Sequence, residues 1–446
     1  MSELIISVSG LRGIVGETLT PEIAARFVAA FASKLPEGPI IIGRDGRSSG
    51  PMLSRAIIAS LMACGRTCVD VDVAATPTIG VLVRQRGAAG AVMVSASHNP
   101  PPYNGIKLFG ASGRVLDAKT GSEVRDAYLA GENAYCPFDQ IGLVDHDSDP
   151  HEPHLEKVLA TVDQLAIRAA GFRVLIDSNH GAGSLLGKRL LDSLGCEVVA
   201  VGDTPDGNFA HVPEPTAENL QGIASQVREG KCAVGFCQDP DADRLALVDE
   251  KGDYVGEEYT LALCVKHALT QEETFGPIVI NGATSGMSER LAQAAKVGCH
   301  RSAVGEANVA DMMIEVGATY GGEGNGGPID PRVGYVRDSF VGMAQVLDLM
   351  AATGKPLSQL AAEIPKLHIH KSKATVTAER LPALFEALIA KYPEAEAQTG
   401  DGLRLSWQDK WLLVRGSNTE PIVRLIAEAE SESEAVSMCE AAAALL

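Results

Sequence analysis

The chain has 446 residues, with 57 acidic and 38 basic side chains, a net charge of −19, 46 % apolar residues and only 4 % aromatic residues. That negative field argues against a protein built to grip nucleic acid, which needs basic surface to displace counterions. The scarcity of rings argues against a stacking platform for bases. At roughly 150 residues per domain the length predicts about three domains, with two to four allowed.

No apolar run approaches the ~18 residues of a membrane span, and Met1-Ser-Glu-Leu-Ile-Ile carries no basic leader. Nine cysteines, odd in number and without a CxxC, predict a reducing, cytoplasmic setting. Cys64/Cys68 and Cys232/Cys237 lack the Cys/His company that would complete a zinc site.

Three stretches share one organisation. Residues 39–43 read as a buried strand, followed by a turn over 44–50, helical spacing over 51–63, a stop at Gly65 and a second strand at Cys68–Val73. The pattern returns at Arg173–Asp177, with a turn through Asn179-His-Gly-Ala-Gly, a helix to Leu194, a stop at Gly195 and a strand at Glu197–Val201. It returns again at 277–281, with a turn through Gly286, a helix to Lys296 and a strand near Cys299. Strand, glycine-rich turn, helix, strand is the βαβ signature, so three α/β domains are expected. The aperiodic span 135–153 reads as the first linker. A second boundary falls at 253–256, after a strand pair at 244–249 and 254–255. A third falls between 355 and 368. The tail adds helical spacing over 378–390, strands at 411–414 and 423–428, and a helix from 432 whose last residues, 441–446, fray. The expected domains are 1–145, 146–254, 255–367 and 368–446.

Four loops carry chemistry. The apolar strand 91–94 delivers Ser95-Ala96-Ser97-His98-Asn99-Pro100, with Lys107 shortly after. Ser97 is the candidate nucleophile, Lys107 an acid/base or phosphate ligand, and His98 a loop-orienting or phosphate contact. Ser-Ala-Ser-His is not the hydrolase elbow G-x-S-x-G. Asp239-Pro240-Asp241-Ala242-Asp243-Arg244 places three carboxylates at alternate positions, a donor set for one hard cation such as Mg²⁺. A calcium EF-hand would also want those aspartates and Glu250. It fails because Arg244 stands where glycine is required and Leu245-Ala-Leu-Val is a strand pattern.

Gly321-Gly-Glu323-Gly-Asn325-Gly-Gly327 offers one carboxylate and one amide, a set suited to a polyol, and matches neither a P-loop nor a dinucleotide fingerprint. Arg415-Gly-Ser417-Asn418-Thr419-Glu-Pro gathers a guanidinium, hydroxyls and an amide into a phosphate cradle. Taken together the four loops imply a phosphorylated sugar in an interdomain cleft.

With Ser9-Gly10-Leu11-Arg12-Gly13, these loops resemble the α-D-phosphohexomutase superfamily of phosphoglucomutases, phosphomannomutases and phosphoglucosamine mutases, over essentially the whole chain. The resemblance implies an α/β architecture of four domains round a cleft, three similar ones and a smaller C-terminal α+β domain. It implies a phosphoserine at Ser97, a hexose 1,6-bisphosphate intermediate, and Mg²⁺ held by Ser97, Asp239, Asp241 and Asp243. Arg12, Arg244 and Lys107 would assist. Glu323 and Asn325 would hold the sugar hydroxyls, and Arg415, Ser417, Asn418 and Thr419 the other phosphate.

Many relatives carry serine and histidine where this chain has Asn325 and Gly327, which leaves the general base unassigned. The all-glycine form resembles an archaeal-type branch. The expected activity is therefore glucosamine-6-phosphate to glucosamine-1-phosphate. Glucose and mannose phosphates are the alternative, and a non-catalytic phosphosugar-binding protein is the rival of another class. The expected partners are small phosphorylated sugars, without nucleic acid or membrane, for a monomer or homodimer.

Overall fold

The computed structural model describes residues 4–133, 135–271, 276–376, 378–416 and 422–446. Four sheets follow one another along the chain. The first has seven strands in the order Ile5–Ser7, Gly10–Ile14, Tyr103–Gly110, Gly90–Val94, Ile40–Arg44, Cys68–Val73, Val144–His146. Its centre is parallel: Ile40–Arg44 pairs with Gly90–Val94 on one side and Cys68–Val73 on the other. Helices cover both faces of such a strand, which is why Ile40, Ile41 and Ile42 are all apolar and fully buried.

The expected linker over 135–153 is corrected in part. Val144–His146 is a strand that pairs parallel to Cys68–Val73 and forms the sheet's edge. All three of its residues are exposed, so no apolar alternation marks it in the sequence.

The second and third sheets repeat a four-stranded plan. Leu245–Asp249, Val234–Gln238, Arg173–Asp177 and Glu197–Val201 form one, with the first strand antiparallel. Cys299–Ser302, Ile278–Asn281, Tyr320–Glu323 and Gly327–Ile329 form the other, with the last strand antiparallel. The fourth sheet is wholly antiparallel: His368–Thr375, Ile422–Ala429, Trp411–Gly416, Gly402–Ser406, Glu396–Gly400. Its first strand and its final hairpin are additions to the sequence reading. The architecture is thus three similar α/β domains and a smaller α+β domain. Among the described residues no helix is long and apolar enough to cross a membrane.

The second and third sheets share one core. Leu190, Leu194 and Phe236 belong to the same buried cluster as Leu261, Phe340, Met343 and Leu347. Helix Ser339–Thr353 is buried continuously from Ser339 to Met350. Its three buried polar residues are matched, Ser339 by Gln238 and Ala242 O, Gln345 by Tyr320 and Asp330, and Asp348 by His267. The first and fourth domains keep their own principal cores.

One buried histidine ties three domains. His154 lies within hydrogen-bond distance of Thr78 Oγ1 at 2.9 Å and Asp338 Oδ2 at 2.7 Å, and Asp338 also caps helix Ser339–Thr353. His154→Ala removes the ring and takes away the partner of Thr78 Oγ1 and of Asp338 Oδ2. The expected loss of unfolding free energy in urea is about 2–4 kcal/mol, with His154→Gln losing less.

Candidate functional site

Ser97 follows the buried strand Gly90–Val94 and adopts φ +48°, a left-handed conformation unusual for serine. The surroundings hold it there. Its N–H donates to Ser95 Oγ at 2.9 Å. The Arg47 guanidinium, 2 % exposed, donates to the carbonyls of Ser97 at 2.7 Å, Asn99 at 2.5 Å, and Pro100 and Tyr103 at 2.9 Å. Asp45 accepts from Arg47 Nε and Ser95 Oγ, and Phe209 of the second domain lies against the guanidinium at 5.0 Å. A turn fixed by so many partners keeps a strained residue in place. Sequence reasoning saw residues 44–50 only as a turn and missed both Asp45 and Arg47.

The Ser97 hydroxyl donates to Asp239 Oδ2 at 2.6 Å. Asp239, Asp241 and Asp243 are fully buried, and each offers an oxygen within 4.8 Å of the others. Ala242, at φ +57°, turns the backbone between the last two. Asp239 Oδ1 accepts the backbone N–H groups of Asp243 and Arg244. Asp241 Oδ2 accepts Lys107 Nζ at 2.5 Å and the Thr76 hydroxyl. Asp243 Oδ2 accepts Lys107 at 3.1 Å and Arg337 Nη2 at 2.7 Å. Asp241 Oδ1 and Asp243 Oδ1 remain buried without a hydrogen-bond partner. Unpaired carboxylate oxygens in a dry site are strongly unfavourable unless a cation meets them, so this donor set fits a divalent metal.

Burial opposes ionisation of all three carboxyls. Burial is the largest influence at both Asp241 and Asp243, yet Lys107 with the Thr76 hydroxyl at the first, and Arg337, Lys107 and Arg244 at the second, together outweigh it, so both pKa values fall. At Asp239 burial and the two neighbouring carboxylates prevail, and the pKa rises. Burial also works against the Lys107 ammonium, but Asp241 and Asp243 override it and keep it protonated.

His98 Nδ1 lies 3.3 Å from Ser97 Oγ. Its pKa is pushed down to about 3 by burial and then by Arg244 and Arg12, so the ring is neutral at pH 7. Arg12 donates to Asn99 Oδ1 at 2.6 Å. Arg244 Nε stands 3.8 Å from Asp243 Oδ1 and has no hydrogen-bond partner.

Glu323, 4 % exposed, is oriented by four donors. Oε1 accepts from Asn281 at 2.6 Å and Gly305 N at 3.1 Å; Oε2 accepts from Arg337 Nη1 at 2.7 Å and Asn325 at 3.4 Å. Asn325 Oδ1 is buried and unpartnered. Glycine is a steric requirement at several places in this loop: Gly326 has φ +80° and a Cβ there would lie 2.1 Å from Leu245 O, and one on Gly327 would lie 2.4 Å from Arg337 Cδ.

One polar network therefore joins Ser97, His98, Lys107, the three aspartates, Glu323 and Asn325, with Arg244 at its edge and Arg12 on the serine loop. Arg415 stands apart. Its Nε and Nη2 donate to Asp401 Oδ1 at 3.0 and 2.7 Å. Asp401 Oδ2 accepts Val304 N at 2.8 Å, one residue before the Gly305 N–H that serves Glu323. Ser417, Asn418 and Thr419 lie outside the described residues. Besides Asp45 and Arg47, sequence reasoning missed Thr76, Asn281, Arg337 and Asp401, which belong to no local motif.

Asp239→Asn keeps the shape of the triad and removes one buried like charge. It should match or exceed the wild-type melting temperature without metal, and bind Mg²⁺ at least about tenfold more weakly in calorimetric titration. Wild-type affinity in that variant would remove Asp239 from the donor set.

The chain matches the phosphoglucomutase/phosphomannomutase family in four successive segments. These are alpha/beta/alpha domain I over residues 4–134, domain II over 152–252, domain III over 256–368 and the C-terminal domain over 372–445. It is 37 % identical to a phosphoglucomutase/phosphomannomutase of Thermococcus kodakarensis over 438 residues, which span 96 % of this chain and 94 % of the relative. It is 35 % identical to a probable phosphoglucosamine mutase of Methanopyrus kandleri over 430 residues, with the same shares covered. The crystal structure of a putative phosphomannomutase from Thermus thermophilus superposes with a TM-score of 0.85 at 24 % identity, over 100 % of this chain and 99 % of that one. All four family segments occur in order around the buried aspartate triad, and the chain belongs to the α-D-phosphohexomutase superfamily as a phosphohexomutase-type isomerase.

Proposed function

We propose that the chain interconverts hexose 6-phosphate and hexose 1-phosphate, with glucosamine phosphate as its foremost substrate, through a phosphoserine at Ser97 and a hexose 1,6-bisphosphate. The observation that carries this reading is the Ser97 hydroxyl, 2.6 Å from Asp239 in a buried triad that keeps two carboxylate oxygens free. A Mg²⁺ ion held by Asp239, Asp241, Asp243 and the serine phosphate would neutralise charge on the transferring phosphoryl group.

The protein's own groups do the rest. Arg47 and Asp45 aim Ser97. Lys107, kept protonated by Asp241 and Asp243, supplies positive charge beside the phosphoryl group. Arg12 and Arg244 add fixed charge. Neutral His98 orients the serine by hydrogen bonding. Glu323 and Asn325 hold the sugar hydroxyls, while Arg415, Ser417, Asn418 and Thr419 grip the phosphate that is not transferred. That cradle must receive either end of the bisphosphate as the sugar turns over, so it reads phosphate geometry and not sugar identity. Asp401 sets the direction of Arg415.

A second reading, with glucose and mannose phosphates as the main substrates, has specific support. Arg337 pairs with Glu323 at 2.7 Å, so part of that carboxylate's charge is already engaged and less of it is left for a 2-ammonium group. The relative at 37 % identity is named for the neutral sugars.

Ser97→Ala should keep its fold, acquire no phosphoryl group from hexose 1,6-bisphosphate by intact-protein mass spectrometry, and lose mutase turnover. Normal turnover would end the nucleophile assignment. On the serine-phosphorylated wild type with Mg²⁺, kcat/KM should favour glucosamine-6-phosphate over glucose-1-phosphate and mannose-1-phosphate. Equal or faster rates on the neutral sugars would establish the second reading.

A further inference from the structure

The segment Arg337-Asp338-Ser339 lies between the metal loop and the sugar loop and touches both. Arg337 donates to Asp243 Oδ2 from one nitrogen and to Glu323 Oε2 from another, each at 2.7 Å. Its backbone N–H donates to Glu306 Oε1 at 2.8 Å. The segment is pinned directly after Arg337: Ser339 Oγ donates to Ala242 O at 2.7 Å, and His154 holds Asp338. A planar fork across two carboxylates fixes their separation as well as attracting both, which a point charge does not. Gly327 makes the room, since a Cβ there would collide with the Arg337 side chain.

We propose that Arg337 is a positioning residue that couples the two loops, so that a divalent cation at the aspartates and a hexose phosphate at Glu323 and Asn325 strengthen each other's binding. The proposal rests on the mutase reading above. Asp243 divides its oxygens, Oδ2 to Arg337 and Oδ1 unpaired. A cation on Oδ1 restrains the carboxylate, and Arg337 passes that restraint to Glu323, which meets the sugar already aimed. Linkage makes the effect reciprocal: a sugar that orders Glu323 raises cation affinity by the same factor.

The test is calorimetric titration of Mn²⁺ into the dephosphorylated full chain, where no transfer occurs, with and without saturating glucose 6-phosphate or glucosamine 6-phosphate. In the wild type the sugar should tighten cation binding by about fivefold or more. In Arg337→Gln, shown folded by circular dichroism, that factor should fall to within about twofold of one. A merely structural role would weaken both ligands and leave the factor unchanged, as would coupling carried by the backbone bond from Leu245 N to Gly326 O, which the variant retains. Either an unchanged factor or a wild-type factor of one overturns the proposal.

If Arg337→Gln does not fold, Arg337→Lys is titrated in the same way, because it keeps the charge but cannot span both carboxylates. A reduced factor supports the bridge, and the full wild-type factor overturns it. A wild type that binds neither sugar phosphate overturns the mutase reading and this proposal with it. Binding that ignores the cation overturns the coupling alone.

Discussion

The structure depends on the compensation of buried carboxylates in the cleft by cations from other domains. Asp239, Asp241 and Asp243 come from the second domain, Lys107 from the first, and Arg337 with Glu323 from the third. None of these charges is tolerable alone in so dry a place. Such pairs add little net stability, because desolvation offsets their attraction. What they fix is relative position: three domains meet correctly only when the charges meet.

The rest of the architecture serves that meeting. Each functional loop leaves the end of a strand, as open α/β sheets dispose their sites. Ser97 follows Gly90–Val94, the aspartates follow Val234–Gln238, and Glu323 ends Tyr320–Glu323. The shared core of the second and third domains holds the metal loop and the sugar loop in one body. The fourth domain is attached differently. A small apolar group around Trp411, Leu413 and Ile426 meets Ala283 and Val304. Glu428 accepts from Gly286 N and Trp411 Nε1, and Asp401 accepts from Val304 N. Arg290 with Glu430, Lys371 with Glu258 and Arg301 over the Trp411 ring add charged contacts across the same boundary. On the mutase reading proposed above, Arg415 on this domain would grip and release a phosphate at each half-reaction.

How much of this was legible in the sequence follows from range. The βαβ units showed because a parallel strand covered on both faces is an unbroken apolar run, as at Ile40–Arg44 and Arg173–Asp177. Val144–His146 and Glu396–Gly400 did not show, because every residue in them is exposed. Ser97, the aspartates and Glu323 showed because each belongs to a dense local pattern. Arg337 stands 94 residues from Asp243, and Arg47 stands 50 from Ser97. An isolated arginine has no pattern until the fold supplies its partners. Gly327 read as the loss of a histidine; the structure shows that the space is filled by Arg337.

The division of oxygens within the triad explains why the centre can be prepared before any ligand arrives. Asp241 and Asp243 each commit Oδ2 to cations or a hydroxyl of the protein and leave Oδ1 bare. A metal ion therefore breaks none of the pairs that hold the domains together. Asp239 differs: its Oδ2 meets the Ser97 hydroxyl and no protein cation, and its pKa rises accordingly. The carboxylate least supported by the protein is thus the one that touches the nucleophile. A cation brought there would stabilise the ionised form, at the place where the proposed transfer would carry phosphoryl charge. On the mutase reading proposed above, a site arranged in this way would spend little reorganisation on the transition state, because its fixed charges would already point to where the phosphoryl group moves.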